Sequence, residues 1–551
     1  MKSALYIRRC FLMLVAAACL FSQAEGAVYR VKPGGTGDGS SWEKALGEQG
    51  FASTLAEAGP GNEFWVVSGT YRPVVVSQDV ASHASGRNTP AAASSRERSF
   101  LVKGGVSLYG GFAGDETARD QRKWEENTTI LSGLMDTDEG YVNSYHVLLV
   151  SGDVGGSPVI DGFTITGGRA DGTADKSRGG GMYISGSSPR ITNCTFSLNS
   201  AVNGGALYAA ESAPLIRDSK FSYNEATFGG GIFAETSSLS LVDTLFTYNQ
   251  ARSGGGIFFQ GPSGNGGAAR AQSPASTIEK CTFSRNMAIE AGGAMVNWEY
   301  SPKITDSSFL SNRASTDGGA LFNHKSTPSI QKSTFAENSA NRGGAVANWD
   351  SSPIVVNCTF SENRAAEYGG ALLNDASSPI VVNTTFRANR ASMGGAMFNV
   401  AGSPVIANSI LWGNGTEVRM EGGTTTITYS VVEGGFSGEG NIDRDPRLAG
   451  LANNGGDTHT CALDEESPAI DAGLTVGTRV AGVIQVPALD QRGISRPRGS
   501  GVDMGAFEYY DPDDPAPTHG GGGSGGCRTT AGSAVFATLL LPLLLLRRKR
   551  A

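Results

Sequence analysis

One segment of the chain reads Ser301-Pro-Lys-Ile-Thr-Asp-Ser-Ser-Phe-Leu-Ser-Asn312 and continues, after five residues, with Gly318-Gly-Ala-Leu321. Its Phe recurs at intervals of 25, 25, 37, 26, 26, 25 and 26 residues, each time with Asn three positions later. We interpret the tract that begins at Gly261 as a loop that lengthens the third interval, and Leu411-Trp-Gly-Asn414 as a degenerate ninth copy. Self-similarity at this period indicates an array of stacked units. The eight phenylalanines are Phe196, Phe221, Phe246, Phe283, Phe309, Phe335, Phe360 and Phe386.

The composition of the unit decides between the known kinds of array. A glycine pair, a Ser-Pro dipeptide and β-branched residues in the units argue against helical repeats. The units are also poor in Leu, which argues against a leucine-rich repeat. Short strands separated by tight turns remain. The sequence therefore predicts an all-β fold, a right-handed parallel β-helix with about 25 residues per coil and coils about 4.8 Å apart.

Equivalent side chains of successive coils should then lie above one another. We expect the phenylalanines to stack in the interior, because each would occupy the same place in its coil. The same holds for the Ile upstream of the Phe and for the aliphatic residue after the glycines. The upstream residues are Ile191, Ile216, Ile278, Ile304 and Ile330, and the aliphatic residues are Leu207, Ile232, Ile257, Met295, Leu321, Val346, Leu372 and Met397.

The repeated Asn is predicted to form a ladder inside a turn. A buried side-chain amide needs hydrogen-bond partners, and identical amides in adjacent coils can supply them. We assign this ladder a structural role. Its members are Asn199, Asn224, Asn249, Asn286, Asn312, Asn338, Asn363 and Asn389.

The cysteines do not suggest a disulfide framework. Cys194, Cys281 and Cys358 each lie two residues before the Phe, where other units have Ser or Thr. They are three coils apart, about 14 Å by the strand spacing, and a disulfide tolerates at most about 7 Å between Cα atoms. Cys461 is left as an isolated thiol.

The N-terminus is typical of a secretory signal over residues 1–26. Lys2, Arg8 and Arg9 precede an apolar run at 10–21, and small residues at Ala24 and Gly26 suit cleavage. The residues 16–19 match a lipoprotein cleavage box only in part, because the large aliphatic residue three positions before the Cys is missing. Both interpretations predict export.

The C-terminus predicts a linker and a sorting or anchor segment. Residues 511–526 are rich in Pro, Gly and Ser and form a spacer. Residues 527–551 comprise Cys527, an apolar stretch and a basic end. The 13 apolar residues at 534–546 fall short of a bilayer span, and the 18 counted from Thr529 are marginal. The basic end would stay cytoplasmic, which places the preceding chain outside.

The composition and charge of the chain limit the classes of molecule that it is expected to bind. The chain has 77 Gly and 22 Pro, which disfavours long helices, and its formal net charge is −8. Many basic residues lie in the two terminal segments, so the body between them is more acidic than this value. Nucleic acids and anionic lipids require a basic surface. We therefore expect no nucleic-acid partner, and a membrane contact only through the C-terminal anchor.

The repeat units over residues 190–415 resemble those of the chlamydial-type polymorphic outer membrane proteins. The resemblance rests on Phe-x-x-Asn followed by Gly-Gly-Ala and an aliphatic residue, and it implies surface exposure or adhesion. The chain shows no sign of the autotransporter barrel of that family, so its export route is not expected to apply. The stretches from Val31, Trp65 and Leu108 resemble the opening of bacterial secreted β-helix proteins.

The C-terminal part also resembles known segments. Ser467-Pro-Ala-Ile-Asp-Ala-Gly473, Asp490, Arg496-Pro497 and Asp503-Met-Gly-Ala-Phe-Glu508 are similar to the choice-of-anchor Q segment. The Gly-Gly-Cys527 tail resembles a Synerg-CTERM sorting signal, which implies processing and lipidation at Cys527. We therefore expect an N-terminal cap and first coils at 27–148, repeats at 149–435 and a C-terminal cap at 436–510.

One set of residues in the repeats suggests a binding surface. A second Asn column (Asn297, Asn323, Asn348, Asn374) is followed by Trp298, His324, Trp349 and Asp375. If the Asn face inward, strand alternation turns these next residues outward. Because aromatic rings beside carboxylates suit saccharides, we predict that the four residues Trp298, His324, Trp349 and Asp375 bind a ligand.

The following turn supplies candidates for catalysis, namely Glu299, Lys325 and Asp350. The two acids would be two coils apart, about 9.6 Å, near the upper limit for an inverting glycosidase pair. The alternative is that Lys325 neutralises two stacked acids while the Trp rings cover a turn. We find no pectate lyase or polygalacturonase motif and no metal-ligand spacing, so no cofactor or metal is expected.

Two functions follow from these observations. The first is an exported, surface-anchored β-helix protein without catalysis, adhesin-like or structural in the envelope, located at the cell surface or outer membrane or released. Its partners would be glycans, a host or neighbouring cell surface, and the sorting machinery. The alternative is a secreted polysaccharide-binding or polysaccharide-degrading protein, a lyase or glycoside hydrolase, that uses Trp298, Glu299, Lys325 and Asp350.

Overall fold

The computed structural model describes residues 26–74, 95–137, 140–262 and 275–510. Residues 1–25 of the secretory signal, the 511–526 linker, the sorting segment with Cys527 and most of the tract from Gly261 lie outside the described residues. The described chain winds into a parallel β-helix, which confirms the predicted fold class. In this part of the chain, no helical segment has the length and apolar character of a membrane span.

Each full coil passes in turn through four long sheets, in which neighbouring strands are parallel. Sheet 1 consists of Val28–Val31, Glu63–Val67, Ser107–Phe112, Val159–Asp161, Arg190–Thr192, Leu215–Arg217, Ser240–Val242, Thr277–Glu279, Lys303–Thr305, Ser329–Gln331, Ile354–Val356, Ile380–Val382, Val405–Ala407 and Thr426–Thr428. Sheet 2 consists of Gly69–Tyr71, Thr129–Ser132, Phe163–Thr166, Thr195–Ser197, Lys220–Ser222, Leu245–Thr247, Thr282–Ser284, Ser308–Leu310, Thr334–Ala336, Thr359–Ser361, Thr385–Arg387, Ile410–Trp412 and Val431–Val432.

The other two sheets carry the surfaces discussed below. Sheet 3 consists of Arg169–Ala170, Ser200–Asn203, Glu225–Phe228, Gln250–Ser253, Met287–Ala288, Arg313–Ala314, Ser339–Arg342 and Arg364–Tyr368. Sheet 4 consists of Phe100–Lys103, Leu148–Ser151, Met182–Ser185, Leu207–Ala210, Ile232–Glu235, Ile257–Gln260, Met295–Trp298, Leu321–His324, Val346–Trp349, Leu372–Asp375, Met397–Gly402 and Val418–Gly423.

The remaining elements are short. One α-helix, α1, spans Glu48–Glu57, and 3-10 turns span Ser95–Glu97, Arg119–Gln121 and Ala174–Ser177. Three antiparallel hairpins complete the described part of the chain. They pair Leu134–Thr137 with Gly140–Asn143, Leu448–Ala452 with Thr460–Leu463, and Arg479–Val480 with Ile484–Gln485.

The interior of the solenoid has the predicted vertical register. The eight phenylalanine rings stack with centroid separations of 4.6 to 4.9 Å and interplanar angles of 1 to 9°. The upstream Ile and the aliphatic residue after the glycines are also buried in the same core. Stacked aromatic pairs add about 0.5–1.5 kcal/mol each beyond the burial of their area. The core is therefore continuous from coil to coil.

The glycine pair forms the corner between sheets 3 and 4. Gly318 has a left-handed backbone with φ of +63°, and a Cβ on Gly319 would lie 2.1 Å from the carbonyl oxygen of Gly344. The first position needs the conformational freedom of glycine, and the second lacks space for any side chain. The corner thus explains why both glycines recur.

The repeated Asn forms a continuous buried ladder at the turn between sheets 2 and 3. Asn312 Oδ1 accepts hydrogen bonds from the backbone N–H and Nδ2 of Asn286, at 3.0 Å each. Its own Nδ2 donates to Asn338 Oδ1 at 3.0 Å and to the carbonyl of Phe283 at 2.8 Å. Every polar atom of the side chain therefore has a partner, which removes the cost of burying it.

The last rung of the ladder meets a buried carboxylate. Asn414 donates its backbone N–H to Glu417 Oε1 at 3.0 Å and its Nδ2 to Glu417 Oε2 at 2.7 Å. Burial raises the pKa of Glu417 from 4.5 to about 7, and Glu433 acts in the same direction. Glu417 terminates the ladder because its two oxygens accept the two hydrogen bonds that the next Asn would accept in a further coil.

Glu417 should make stability depend on pH. Its folded pKa is higher than its unfolded pKa, so the folded chain binds more protons between about 4.5 and 7, and stability falls as pH rises through this window. The size of the shift limits the effect to about 3 kcal/mol. We expect the melting temperature of the wild type to fall from pH 5 to pH 8 more steeply than that of Glu417→Gln. The exposed Glu421→Gln on the next strand should keep the wild-type slope, and equal slopes in all three chains would contradict the assignment.

The first coils are covered by α1. Its buried residues are Phe51, Ala52 and Leu55. The Phe51 ring lies 5.7 Å from Phe64 and 5.3 Å from Phe100 between centroids. The helix therefore covers the open core at the N-terminal end, as a solenoid requires.

The segment after the repeats covers the other end and then turns back. Phe436 packs against the last coils of the core. Beyond it, the chain runs along the outer faces of sheets 1 and 2, where Thr359 Oγ1 donates to Gln491 Oε1 at 2.7 Å and the Ala506 N–H donates to Thr385 Oγ1 at 3.0 Å. An apolar cluster on sheet 1 joins Val356, Val382 and Ala407 to Val480, Val486 and Val502. Residues 436–510 thus cover a flank as well as the end.

The four described cysteines, Cys194, Cys281, Cys358 and Cys461, are free and buried. Burial raises the pKa of the Cys194, Cys281 and Cys358 thiols to about 12 and that of Cys461 to about 11. Since the thiolate is the reactive species, these thiols are protected from oxidation while the fold is intact.

Candidate functional site

A second Asn ladder sets the orientation of the candidate site in sheet 4. Asn297 Nδ2 donates to Asn323 Oδ1 at 2.7 Å, and the same bond joins Asn323 to Asn348 and Asn348 to Asn374. These amides are fully buried. Because side chains alternate along a strand, the residue after each Asn faces outward. Trp298, His324, Trp349 and Asp375, here called the Trp298 patch, lie in register on consecutive strands.

The aromatic rings of the patch are arranged in two ways. Trp298 is 38% exposed, and its ring centroid lies 4.0 Å from that of His324 with a tilt of 30°. Trp349 instead meets Phe322 edge to face at 5.7 Å. Trp298 thus presents an aromatic surface to solvent, whereas Trp349 turns toward the corner between sheets 3 and 4.

The surroundings of His324 favour its neutral form. Burial and the neighbouring Lys325 lower its pKa, and the charges of Asp350 and Glu299 oppose this only in part. A group that is neutral at physiological pH contributes hydrogen bonding rather than charge. The buried His324 Nδ1 and Trp349 Nε1 have no hydrogen-bond partner within the described residues.

Glu299, Lys325 and Asp350 occupy one position of the following turn. All three have left-handed backbones, with φ of 52°, 47° and 48°. Their N–H groups donate to His324, Trp349 and Asp375 carbonyls, so the backbone of the turn is rigidly held. No ion pair within 4.0 Å joins the three side chains among the described residues. In the alternative, Lys325 would therefore neutralise the two stacked acids through its charge at a distance and not through direct ion pairs.

The corner beside the patch contains residues that sequence reasoning missed. Arg342 lies over the Trp349 ring at 5.1 Å and pairs with Asp317 at 2.7 Å. Burial raises the pKa of Asp317, while Arg342 opposes this shift. An aromatic column on the outer face of sheet 4, which includes Tyr208, Phe233, Phe258, Phe322 and Phe398, lines the same corner. The signal for this column is an aromatic residue directly after the glycine pair, a small residue and an aliphatic residue in these copies.

The site can bind a ring-shaped, hydroxylated ligand through these groups. Trp298 offers an apolar ring, and Glu299, Asp350 and Asp375 can accept hydrogen bonds from hydroxyls. In the described ranges, no group of three or more His, Cys, Asp and Glu side chains could hold a metal ion.

The fold and this outward column define a solenoid protein of the parallel β-helix class. The family described as "Right handed beta helix region" matches residues 143–266 and 266–438, more than half of the chain. The chain therefore belongs to this family. No curated protein sequence matches it.

The chain is similar to several solved structures at low sequence identity. Pectate lyase Pel9A is 13% identical with a TM-score of 0.34, over 88% of this chain and 96% of that one. The PL6 family alginate lyase AlyGC is 11% identical with a TM-score of 0.39, over 89% and 60%. PfbA, a surface adhesin of Streptococcus pneumoniae, is 11% identical with a TM-score of 0.33, over 79% and 100%. These likenesses concern the fold alone.

Proposed function

We propose that the chain is an exported, surface-anchored β-helix protein that binds saccharides through the Trp298 patch without catalysing a reaction. One observation carries this proposal. Of the six tryptophans, only Trp298 is exposed, and it rests on His324 at 4.0 Å between ring centroids. Because the exposed Trp298 ring packs on His324, it is preorganised, and a pyranose can stack on it at a small entropic cost.

Glu299 and Asp350 fit a binding role. They occupy a turn position that other coils fill with Glu211, Thr236, Ala376 or Ala401, also with left-handed backbones. The acids thus belong to a structural column whose chemistry varies, with a separation of about two coils. In the proposal they accept hydrogen bonds from ligand hydroxyls.

Binding of a glycan array by the purified chain tests the proposal. Trp298→Ala should weaken binding by about tenfold or more, because it removes the stacking surface, about 1.4 kcal/mol. Tyr223→Ala, which removes an exposed aromatic ring on the turn between sheets 2 and 3, is the matched control and should bind like the wild type. Equal binding by Trp298→Ala and the wild type would contradict the role of the patch.

An assay for reducing ends and unsaturated products on the bound glycans tests the absence of catalysis. We expect no turnover. Turnover that disappears in Glu299→Gln or Asp350→Asn would replace this proposal with the alternative, a glycoside hydrolase or lyase.

The proposed location rests on the two ends of the sequence, whose signal-like and sorting-like patterns support export and anchoring. The resemblance to polymorphic outer membrane protein repeats, choice-of-anchor Q segments and Synerg-CTERM tails supports the same location. Mass spectrometry of the mature C-terminus in fractionated envelopes tests it. A tail cleaved near Cys527 in the outer envelope fraction supports the proposal, and an intact chain in the cytoplasm contradicts it.

A further inference from the structure

A column of arginines lies on the outer face of sheet 3, in the second half of the repeats. Arg313 is in register with Ser339, Ser339 with Arg364, and Arg364 with Arg390. All three arginines are exposed. We call Arg313, Arg364 and Arg390 the arginine column.

These guanidinium groups have no internal partner. Within the described part of the chain, none of them forms an ion pair or a side-chain hydrogen bond. The two carboxylates of the preceding turn have other partners. Glu337 accepts from Ser311 Oγ at 2.9 Å, and Glu362 pairs with Arg387 at 3.4 Å.

The arginine column lowers the stability of the fold, and no ion pair within the described residues offsets this. Like charges directly opposite each other on adjacent strands are destabilising, and Arg364 and Arg390 are such a pair. The chain has an excess of acidic residues, with a net charge of −8, so carboxylates are available to pair with a structural arginine. An unpaired column in this setting indicates that the arginines serve an anion from outside.

The spacing indicates a linear anion. Along the axis, the arginines are separated by about 9.6 Å and then about 4.8 Å, which are multiples of the coil spacing. The length of one pyranose residue in an extended polysaccharide is close to the rise of the solenoid per coil, about 4.8 Å. Guanidinium groups bind carboxylate and sulfate oxygens through paired N–H donors. Ser315, which directly follows the strand Arg313–Ala314, and Asn341 in the strand Ser339–Arg342 are not fully buried and can bind hydroxyls.

We propose that the arginine column binds an acidic polysaccharide that lies along the solenoid axis and places carboxylate or sulfate groups against Arg313, Arg364 and Arg390. The column ends at Met287, which is in register with Arg313, so the site spans four coils. This site goes beyond the saccharide binding proposed for the Trp298 patch, because it lies on another sheet and does not require Trp298.

A single polysaccharide chain fits this surface better than a broader polyanion. The exposed carboxylates of Glu337, Glu362 and Glu367 lie on two of the four coils that the site spans, those of Ser339 and Arg364. They would repel a nucleic-acid duplex or an anionic bilayer, each of which needs a wide basic footprint. A narrow chain can contact the column alone.

Binding of the purified chain to immobilised polymers tests this proposal. The probes are sodium polygalacturonate for carboxylates, dextran sulfate for sulfates, and neutral dextran, a DNA duplex and phosphatidylserine vesicles for comparison. We expect one or both acidic polysaccharides to bind at low salt, to dissociate at about 0.5 M salt, and neutral dextran not to bind through this site. The two acidic probes distinguish carboxylate from sulfate recognition.

The triple variant Arg313→Gln, Arg364→Gln, Arg390→Gln should weaken this binding by about 30-fold, since three exposed charge pairs that contribute about threefold each multiply to this factor. The matched control is Arg190→Gln, Arg419→Gln, Arg444→Gln, which removes the same charge from three exposed arginines elsewhere and should change binding by less than about threefold. Circular dichroism and melting temperature should be unchanged in both, because surface substitutions seldom cost more than about 0.5 kcal/mol.

Several outcomes would overturn the proposal. The first is that neither acidic polysaccharide binds. The second is that the two triple variants lose the same amount of binding affinity. The third is that the DNA duplex or the vesicles bind as tightly as the acidic polysaccharides and through the same arginines. Trp298→Ala should leave acidic polysaccharide binding unchanged. A chain that keeps this binding but binds no glycan through Trp298 would contradict the proposed function and retain the arginine site.

Discussion

Replacing Asn312 with alanine should lower the free energy of unfolding by about 4 kcal/mol or more. The substitution removes the acceptor for the backbone N–H and one Nδ2 hydrogen of Asn286, and the donor to the Phe283 carbonyl. Each unsatisfied buried group costs about 1–3 kcal/mol, and the truncated side chain leaves a void in addition. The effect should be local, because each coil of a solenoid contacts mainly its neighbours.

Urea denaturation and hydrogen exchange measure this effect at two levels. The overall transition should shift to lower urea, and the Asn286 amide should exchange much faster than amides several coils away. Asn341→Ala is the matched control, since it removes the same side chain from a half-buried outward position on sheet 3. If Asn312→Ala costs no more than Asn341→Ala, the ladder does not stabilise the solenoid.

The sequence was sufficient to predict the interior. A side chain repeated at a fixed period must lie at the same depth in every coil, so the Phe repeat predicts a stack, and the rings of Phe309 and Phe335 lie 4.6 Å apart. The alternation of side chains along a strand was also sufficient to predict that Trp298 faces outward, once Asn297 was assigned to the interior. Both inferences need only periodicity and the direction of side chains along a strand.

The surroundings of the Trp298 patch could not be predicted in this way. Trp349 lies against Arg342, and the positions of sheet 3 equivalent to Arg342 change from coil to coil, for example to Phe228 and Ser253. A column without a repeated residue gives no periodic signal. The left-handed turn at Glu299, Lys325 and Asp350 was missed because glycine, the usual residue for this conformation, does not occupy this position in these three coils.

Contacts between distant parts of the chain could not be predicted from the sequence either. Thr359 and Gln491 are 132 positions apart, and neither residue belongs to a pattern that identifies the other. Helix α1 gives a weak signal, because its buried residues number only three, Phe51, Ala52 and Leu55. The repeats therefore predict the solenoid, whereas the helix at one end and the segment on the flank depend on individual contacts.

The segment on the flank contains a fully buried ion pair between Arg496 and Glu508, and Arg496→Ala should release the segment. Arg496 Nη1 pairs with Glu508 Oε2 at 2.8 Å, and both side chains are fully buried. Nη2 also donates to the Gly505 carbonyl at 2.8 Å. Removal of the guanidinium leaves the Glu508 carboxylate buried without its counter-charge, which costs about 3–5 kcal/mol. Since burial already raises the pKa of Asp503 to about 7, the same region has little capacity to hold a second uncompensated acid.

Cys461 reports this release. It lies in the strand Thr460–Leu463 of the segment and is 1% exposed, so its thiol reacts only when the segment opens. An opening free energy lowered by 3 kcal/mol or more should speed labelling of Cys461 by at least about 100-fold, as measured by mass spectrometry of the labelled peptide. Cys194, Cys281 and Cys358 should stay protected, because they are buried inside the coils.

Two further variants separate the ion pair from a general loss of folding. Arg479→Ala, an exposed position in the same segment, should leave Cys461 protected. Arg496→Met combined with Glu508→Leu removes both charges and should restore part of the protection, because apolar residues can replace a buried pair without leaving a charge unpaired. Cys461 labelling that is no faster in Arg496→Ala than in the wild type would mean that the apolar cluster on sheet 1 and the hydrogen bonds of Thr359 and Thr385 hold the segment without the ion pair.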